Sequence, residues 1–259
     1  MEIGKLIGVG NTAEVYEYKE DKVIKLFYEG YQNESVDKEF NNAILIKDKD
    51  FAKPNVYALV NFNNRDGIIY DKVDGQSLLD ELMKTNDINY GGKVLSQVHL
   101  EILKESGIGL DSFYEIIRNS IIWNLDFSES KKVKLLHILE SLPEGNTLCH
   151  GDFHPGNILR CEDKTYTIDF MNLCYGNPYF DIARTVYLVE MTPIPEDILD
   201  KEQFLDLKKA IAAIYLKFMG INRQDLSDYI ILILVRRLNE GISKEEKNMI
   251  LKYLENYGI

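Results

Sequence analysis

A chain of 259 residues is long enough to bury a sizeable core and suits one compact unit of two lobes. Its formal charge of −12 at pH 7 argues against nucleic acid or an anionic membrane as a partner and makes a cationic small molecule easier to attract. Apolar runs such as 229–235 are too short to cross a bilayer, Met1–Lys5 does not open a charged-then-apolar leader, and Cys149, Cys161 and Cys174 form neither a disulfide framework nor a metal spacing, so a cytoplasmic protein is expected.

The first motif is Ile7-Gly8-Val9-Gly10-Asn11-Thr12-Ala13-Glu14-Val15, which reads G-x-G-x-x-A-x-V. Bare backbone at Gly8 and Gly10 would let phosphates approach, and Val15 would pack on a purine; taken alone, the run is an ordinary hairpin turn. The next residues give it context. A polar turn at 19–22 leads into Val23-Ile24-Lys25-Leu26-Phe27, a strand with one lysine among apolar neighbours. The order strand, glycine turn, strand, turn, strand with lysine is that of a kinase N-terminal lobe, in which Lys25 would meet the α and β phosphates of ATP or GTP. A helical glutamate must then hold the lysine. The helix expected from about Ser35 offers Glu39 beside an apolar face, with Glu34 as the alternative.

Next, Gly67-Ile68-Ile69-Tyr70-Asp71-Lys72-Val73-Asp74-Gly75 reads as an apolar strand that breaks at Asp-Gly, ahead of a helix capped by Ser77. Backbone groups of Asp71 and Val73 are expected at the adenine edge, with Tyr70 behind them. The chain then turns helical. Leu78, Leu79 and Leu82 form one stripe, and Val94, Leu95, Val98, Ile102 and Leu103 a second, beside which His99 reads as a satisfied core residue. Helices are expected over 133–142, 203–218, 226–238 and 244–257.

The densest information lies in Cys149-His150-Gly151-Asp152-Phe153-His154-Pro155-Gly156-Asn157, followed by Ile168-Asp169-Phe170. An acid, an amide and a second acid stand in the order that phosphoryl transfer needs. Asp152 can accept the proton of an attacking hydroxyl, whereas Asn157 and Asp169 are oxygen ligands suited to Mg²⁺. Four residues separate Asp152 from Asn157, as in the kinase catalytic loop. Two other readings compete. The run could be only a Gly/Pro turn, or His150, Asp152, His154 and Asp169 could ligate zinc in a hydrolase, which leaves Asn157 and the glycine turn without a role.

With these motifs in order, the chain resembles the aminoglycoside phosphotransferase and choline kinase-like superfamily, small-molecule kinases with a protein-kinase-like fold. His150-Gly151-Asp152 stands in place of His-Arg-Asp, and Met171 follows Ile168-Asp169-Phe170 where protein kinases carry glycine. The resemblance implies an α+β, bilobal fold with a nucleotide-binding lobe of antiparallel sheet over 1–73 and a mainly helical catalytic lobe over 74–259. It implies Asp152 as catalytic base, Asn157 and Asp169 as Mg²⁺ ligands, Lys25 with Glu39 on the phosphates, and Asp181 as the acid that opens a helix and braces the catalytic loop. About a dozen residues separate Asp169 from Asp181, too few for a peptide-docking segment, so a small alcohol is the expected acceptor, with Tyr175 and Tyr179 near it. A protein kinase, or a nucleotide-binding pseudokinase acting through partners, is the alternative.

Overall fold

A computed structural model describes residues 3–162, 164–194, 196 and 198–259; Met1 and Glu2, the first residues of the Met1–Lys5 segment, lie outside them. In chain order the elements are β1 Leu6–Val9, β2 Ala13–Glu17, β3 Lys22–Phe27, α1 Asn33–Leu45, β4 Val56–Phe62, β5 Arg65–Asp71, β6 Gln76–Ser77, α2 Leu78–Thr85, α3 Ile88–Ile102, β7 Asp111–Ser112 and α4 Phe113–Ile122. They continue with α5 Glu129–Ser141, β8 Thr147–Cys149, β9 Ile158–Cys161, β10 Lys164–Thr167, β11 Cys174–Gly176, α6 Pro178–Val186, α7 Lys201–Met219, α8 Ser227–Arg237 and α9 Lys244–Glu255. By contacts the chain divides into two compact units, Met1–Lys84 with Gly156–Leu173, and Thr85–Pro155 with Cys174–Ile259. The sequence suggests a single division at 73/74. Residues 74–84 and 156–173 instead group with the N-terminal sheet, because Gln76 and Ser77 pair with Arg160 and Leu159.

The first unit is built on a sheet ordered β1-β2-β3-β5-β4. All its pairings are antiparallel, so alternate residues of each strand share a face. One face gathers Tyr18, Ile24, Leu26 and Ile69, with Tyr16, Ala58, Val60 and Phe62 packed against them. The opposite face carries Lys25, Ile68 and Tyr70, and α1 packs on β4 and β5. The buried side of α1 presents Val36, Glu39, Asn42 and Ala43. Two polar residues on such a stripe need partners, since a buried polar group without a hydrogen bond is costly. The hairpin β9–β10 is attached by its pairing with β6 and by the Thr167 N–H, which donates to the Ala52 carbonyl at 2.9 Å. Ser77 caps α2 as expected, its Oγ accepting from the Asp80 N–H at 3.0 Å. Leu79 departs from its expected stripe: Leu78 and Leu82 are buried one turn apart, while Leu79 points outward at 44 % exposure.

The second unit is helical apart from a small sheet ordered β7-β11-β8. The run Tyr229–Val235 of α8 is buried on all sides, against α4, α5, α6 and α9. Its length, too short for a membrane, is accounted for as the core of this unit, where each buried Ile or Leu contributes about 1.5–3 kcal/mol. Among the described residues no helix is long and apolar enough to cross a membrane. Helices α3 and α7 meet at Gly92, where a Cβ would lie 2.6 Å from Ile214 Cγ2; glycine is required there by close approach. Cys149 and Cys174 are buried opposite each other on β8 and β11.

Candidate active site

In the first unit, pairing places Gly8 opposite Val15, Val15 opposite Lys25 and Lys25 opposite Ile68. Directly opposed residues of antiparallel strands share a face, so Val15 and Lys25 project to the same side. The turn between β1 and β2 is closed by the Gly10 N–H, which donates to the Ala13 carbonyl at 2.8 Å. A Cβ at Gly8 would find Val15 Cβ at 3.5 Å and one at Gly10 the Ala13 oxygen at 3.4 Å, and neither residue has a positive φ. The chain itself therefore makes little demand for glycine at these positions.

Lys25 Nζ donates to both carboxylate oxygens of Glu39 at 2.8 Å and to Asp169 Oδ1 at 3.0 Å. Glu39 is 1 % exposed and also accepts from the Tyr70 hydroxyl at 3.1 Å. The choice between Glu39 and Glu34 is decided by helix geometry, since Glu39 lies on the buried side of α1. Burial pulls the Lys25 pKa down, but the carboxylates of Glu39 and Asp169 outweigh it and hold the ammonium above its ordinary value. Burial pushes Glu39 up against the opposing pull of Lys25. Burial, reinforced by Glu39, also raises Tyr70 well above the ordinary phenol value, so Tyr70 stays a neutral donor.

Asp71, at the end of β5, ties together its two neighbouring strands β3 and β4. Its carboxylate accepts from Lys22 Nζ, the Tyr57 hydroxyl and the Asn55 amide, each at 2.7 Å, and from the Asn55 N–H at 3.0 Å. Partial burial pushes its pKa up, yet these hydrogen bonds pull it down to about 2. The Asp71 N–H donates to the Asn55 carbonyl, and the Val73 carbonyl accepts from the Gly75 N–H at 3.0 Å.

Asn157 is 8 % exposed at the end of the Pro155–Asn157 turn, and its carbonyl accepts from the Ile168 N–H at 3.0 Å. That bond ties the Asn157 turn to the residue before Asp169. Asp169 itself has φ +70°, a left-handed conformation unfavourable to most side chains, and its carboxylate is 35 % exposed. An amide and a carboxylate offer the hard oxygens that Mg²⁺ prefers, so the donor set fits that ion. Among the described residues no three His, Cys, Asp or Glu side chains converge as a metal group.

In the second unit the loop after β8 is fastened from α6. Asp181, fully buried, accepts from the His150 N–H at 2.6 Å and the Gly151 N–H at 2.8 Å. Arg184 Nε donates to the Gly151 carbonyl at 3.2 Å. Gly151 has φ +76°, which explains glycine where protein kinases carry arginine. His99 lies on the far side of Asp181, with Nε2 at 3.0 Å from its carboxylate and Nδ1 at 2.6 Å from the Tyr215 hydroxyl. Since a carboxylate only accepts, Nε2 carries a proton toward Asp181. Burial raises the Asp181 pKa, but His99 and the backbone donors outweigh it and leave the carboxyl below its ordinary value.

Asp152 comes directly after this braced segment. Its N–H donates to His150 Nδ1 at 3.3 Å, and its carboxylate, 27 % exposed, lies 3.9 Å from His154 Nε2. His150 thus structures the loop from a buried position. Tyr175 sits in β11 opposite Leu148, and Tyr179 rests edge-on to Tyr229 at 5.5 Å between ring centroids. Two contributors have no local sequence signal: Tyr70 as the partner of Glu39, and His99 as the partner of Asp181. An apolar-face histidine and a strand tyrosine look like core residues until the fold brings their carboxylates to them.

Residues 123–210 match the model of the family described as "Phosphotransferase enzyme family". Among solved structures, the chain shares its fold with an amicoumacin kinase, hAmiN, solved in complex with AMP-PNP, Ca²⁺ and Ami, at TM-score 0.58 and 14% identity over 97% of this chain and 86% of that one. It also aligns with an aminoglycoside phosphotransferase from Streptomyces rimosus, solved with ADP and streptomycin, at TM-score 0.53 and 15% identity over 86% and 90% of the two chains. A choline/ethanolamine kinase family protein from Mesorhizobium loti aligns at TM-score 0.55 and 11% identity over 96% and 84%. Comparison with curated protein sequences finds no match. The resemblance read from the motifs therefore holds, and the fold is the expected α+β, protein-kinase-like one.

Proposed function

We propose that this protein is a kinase that moves the γ-phosphoryl of ATP or GTP to a hydroxyl of a small molecule, with cationic amino-sugars and amino-alcohols the first class to test. The observation that carries the reading is the cluster at Lys25, whose ammonium is held by a buried glutamate from α1 and by Asp169 from the far side of the chain. A chance glycine turn and a chance Asp-x-x-x-x-Asn run would give no reason for those groups to meet. The glycines add support: Gly8 and Gly10, which the chain itself barely requires, suit a backbone that phosphates approach closely.

In this reading Lys25 meets the α and β phosphates, and Asn157 and Asp169 hold Mg²⁺ through their side-chain oxygens. When bound, that ion neutralises charge on the phosphates. Val15 packs on the purine, whose edge meets the Asp71 carbonyl and the Val73 N–H, the Asp71 N–H being committed to Asn55. Tyr70 acts behind the purine through Glu39. Asp152 orients the acceptor hydroxyl and takes its proton onto the carboxylate, so most of the rate comes from positioning and charge neutralisation.

Mg²⁺-ATP will raise the melting temperature, because a ligand that binds only the folded state stabilises it by RT ln(1 + [L]/Kd), about 2.7 kcal/mol at a hundredfold excess over Kd. Thermal melts with millimolar ATP or GTP check this; no shift with either nucleotide in the presence of Mg²⁺ contradicts the reading.

The acceptor class has its own test. After Asp169 the chain passes through β11 directly into α6, capped by Asn177, whose Oδ1 accepts from the Tyr179 N–H at 2.9 Å. No stretch long enough to dock a peptide intervenes. Turnover is expected on a panel of amino-sugars, amino-alcohols and nucleosides, and label from the γ-phosphate appearing on a defined protein, with none on the panel, would reverse the assignment.

A further inference from the structure

The bend at Asp169 is held from both sides, and one of its holders has no place in the motifs. On the near side the Ile168 N–H is tied to the Asn157 carbonyl. On the far side Asn42 Nδ2 donates to the Phe170 carbonyl at 2.9 Å and to the Met171 carbonyl at 3.2 Å. Both neighbours are acceptors, so the amide nitrogen must face them. Asn42 is 6 % exposed, on the stripe of α1 that otherwise carries Val36, Glu39 and Ala43. A leucine would fill that position without needing any partner.

Residues i and i+3 of a helix are neighbours on one face. Glu39 and Asn42 stand in that relation, one holding Lys25 and the other the two carbonyls that come after Asp169. A left-handed aspartate persists only where its surroundings over-determine the backbone, and the amide of Asn42 supplies that constraint immediately after the residue concerned.

We propose that Asn42 is a positioning residue that fixes the Asp169 carboxylate in the orientation in which it ligates Mg²⁺, and that α1 sets this orientation together with the Lys25–Glu39 pair. The proposal rests on Asp169 being a metal ligand, as proposed above. Outer partners that orient a ligating group commonly change metal affinity about 10–100-fold when removed. Asn42 therefore acts on the gain in nucleotide affinity that the metal confers, without touching the nucleotide.

The test is the affinity of AMP-PNP, measured by calorimetry with and without saturating Mg²⁺, for the wild type, Asn42→Leu and Asn42→Gln. In Asn42→Leu, which keeps the volume and removes both donors, the Mg²⁺-dependent gain should shrink about tenfold while metal-free affinity stays near wild type. Asn42→Gln, which keeps the amide, should recover part of the gain. If Asn42→Leu does not yield folded protein, Asn42→Ala removes the donors without adding bulk and carries the same measurement. Equal weakening with and without Mg²⁺ would make Asn42 a merely structural residue and overturn the proposal, as would an unchanged gain. A wild type whose AMP-PNP affinity is indifferent to Mg²⁺ would overturn the metal reading of Asp169 and this proposal with it.

Discussion

Asp152→Asn is expected to lower phosphoryl transfer roughly 10²–10⁴-fold, the usual contribution of a positioned general base, while leaving Mg²⁺-ATP affinity close to wild type. The amide keeps the size of the side chain, and the loop around it is fastened through the His150 and Gly151 backbone rather than through the Asp152 carboxylate. On the proposed mechanism, only the ability to take the acceptor's proton is lost. Asp169→Asn should behave differently, weakening metal-dependent nucleotide binding as well as rate, because it alters a proposed metal ligand and a partner of Lys25. Turnover with an identified acceptor and nucleotide affinity by calorimetry separate the two phenotypes. Near wild-type transfer by Asp152→Asn would remove Asp152 as the base and unsettle the assignment of the whole motif.

Asp181→Ala should be the most destabilising single change in the second unit, at about 3–5 kcal/mol, the cost of removing one partner from a buried charged network. It strands the His150 and Gly151 N–H groups and the His99 Nε2 proton, all buried. Urea unfolding measures the loss, and a change below about 1 kcal/mol, the scale of one ordinary hydrogen bond, would show that the brace is dispensable. The pH dependence comes from the direction of the shift. With its folded pKa below the ordinary 3.8, Asp181 binds its proton more readily in the unfolded chain. Its contribution to stability is thus complete above about pH 4 and is lost as pH falls through the lower, folded value. Asp181→Ala should flatten that acid limb of the stability curve.

The candidate residues that stand out in the sequence are those whose proposed chemistry demands a fixed local spacing. Asp152 and Asn157 share one turn of chain, and the hairpin after them delivers Asp169, so the order alone exposed them. Lys25 could be read because a lone lysine in an apolar strand is unusual, and Glu39 because a partner was then required. Strand β4 left no such trace: its sequence Val-Tyr-Ala-Leu-Val-Asn-Phe alternates burial because Ala58, Val60 and Phe62 pack on the cluster of Tyr18, Ile24, Leu26 and Ile69, and it carries no motif. Helix α4 went unread for the same reason. The two-residue strands β6 and β7 are too short to have a period, and exist because of the partners they pair with. Tyr70, His99 and Asn42 acquire their roles from groups 31, 82 and 128 residues away, a relation that no spacing rule encodes.

The pairing of β6 with β9 also bears on how the protein is made. Gln76 emerges from the ribosome well before Arg160, the residue it pairs with, and at about 5–20 residues per second the nascent N-terminal sheet waits several seconds for its last hairpin. During that interval Lys25 and Glu39 are already synthesised, but Asp169 is not, and the entire 85–155 segment is threaded out in between. A gene fragment ending after residue 84 would therefore encode the five-stranded sheet with its lysine–glutamate pair and neither proposed metal ligand. The residues proposed to bind the nucleotide and those proposed to ligate the metal are separated in time of synthesis, even though they belong to the same compact unit.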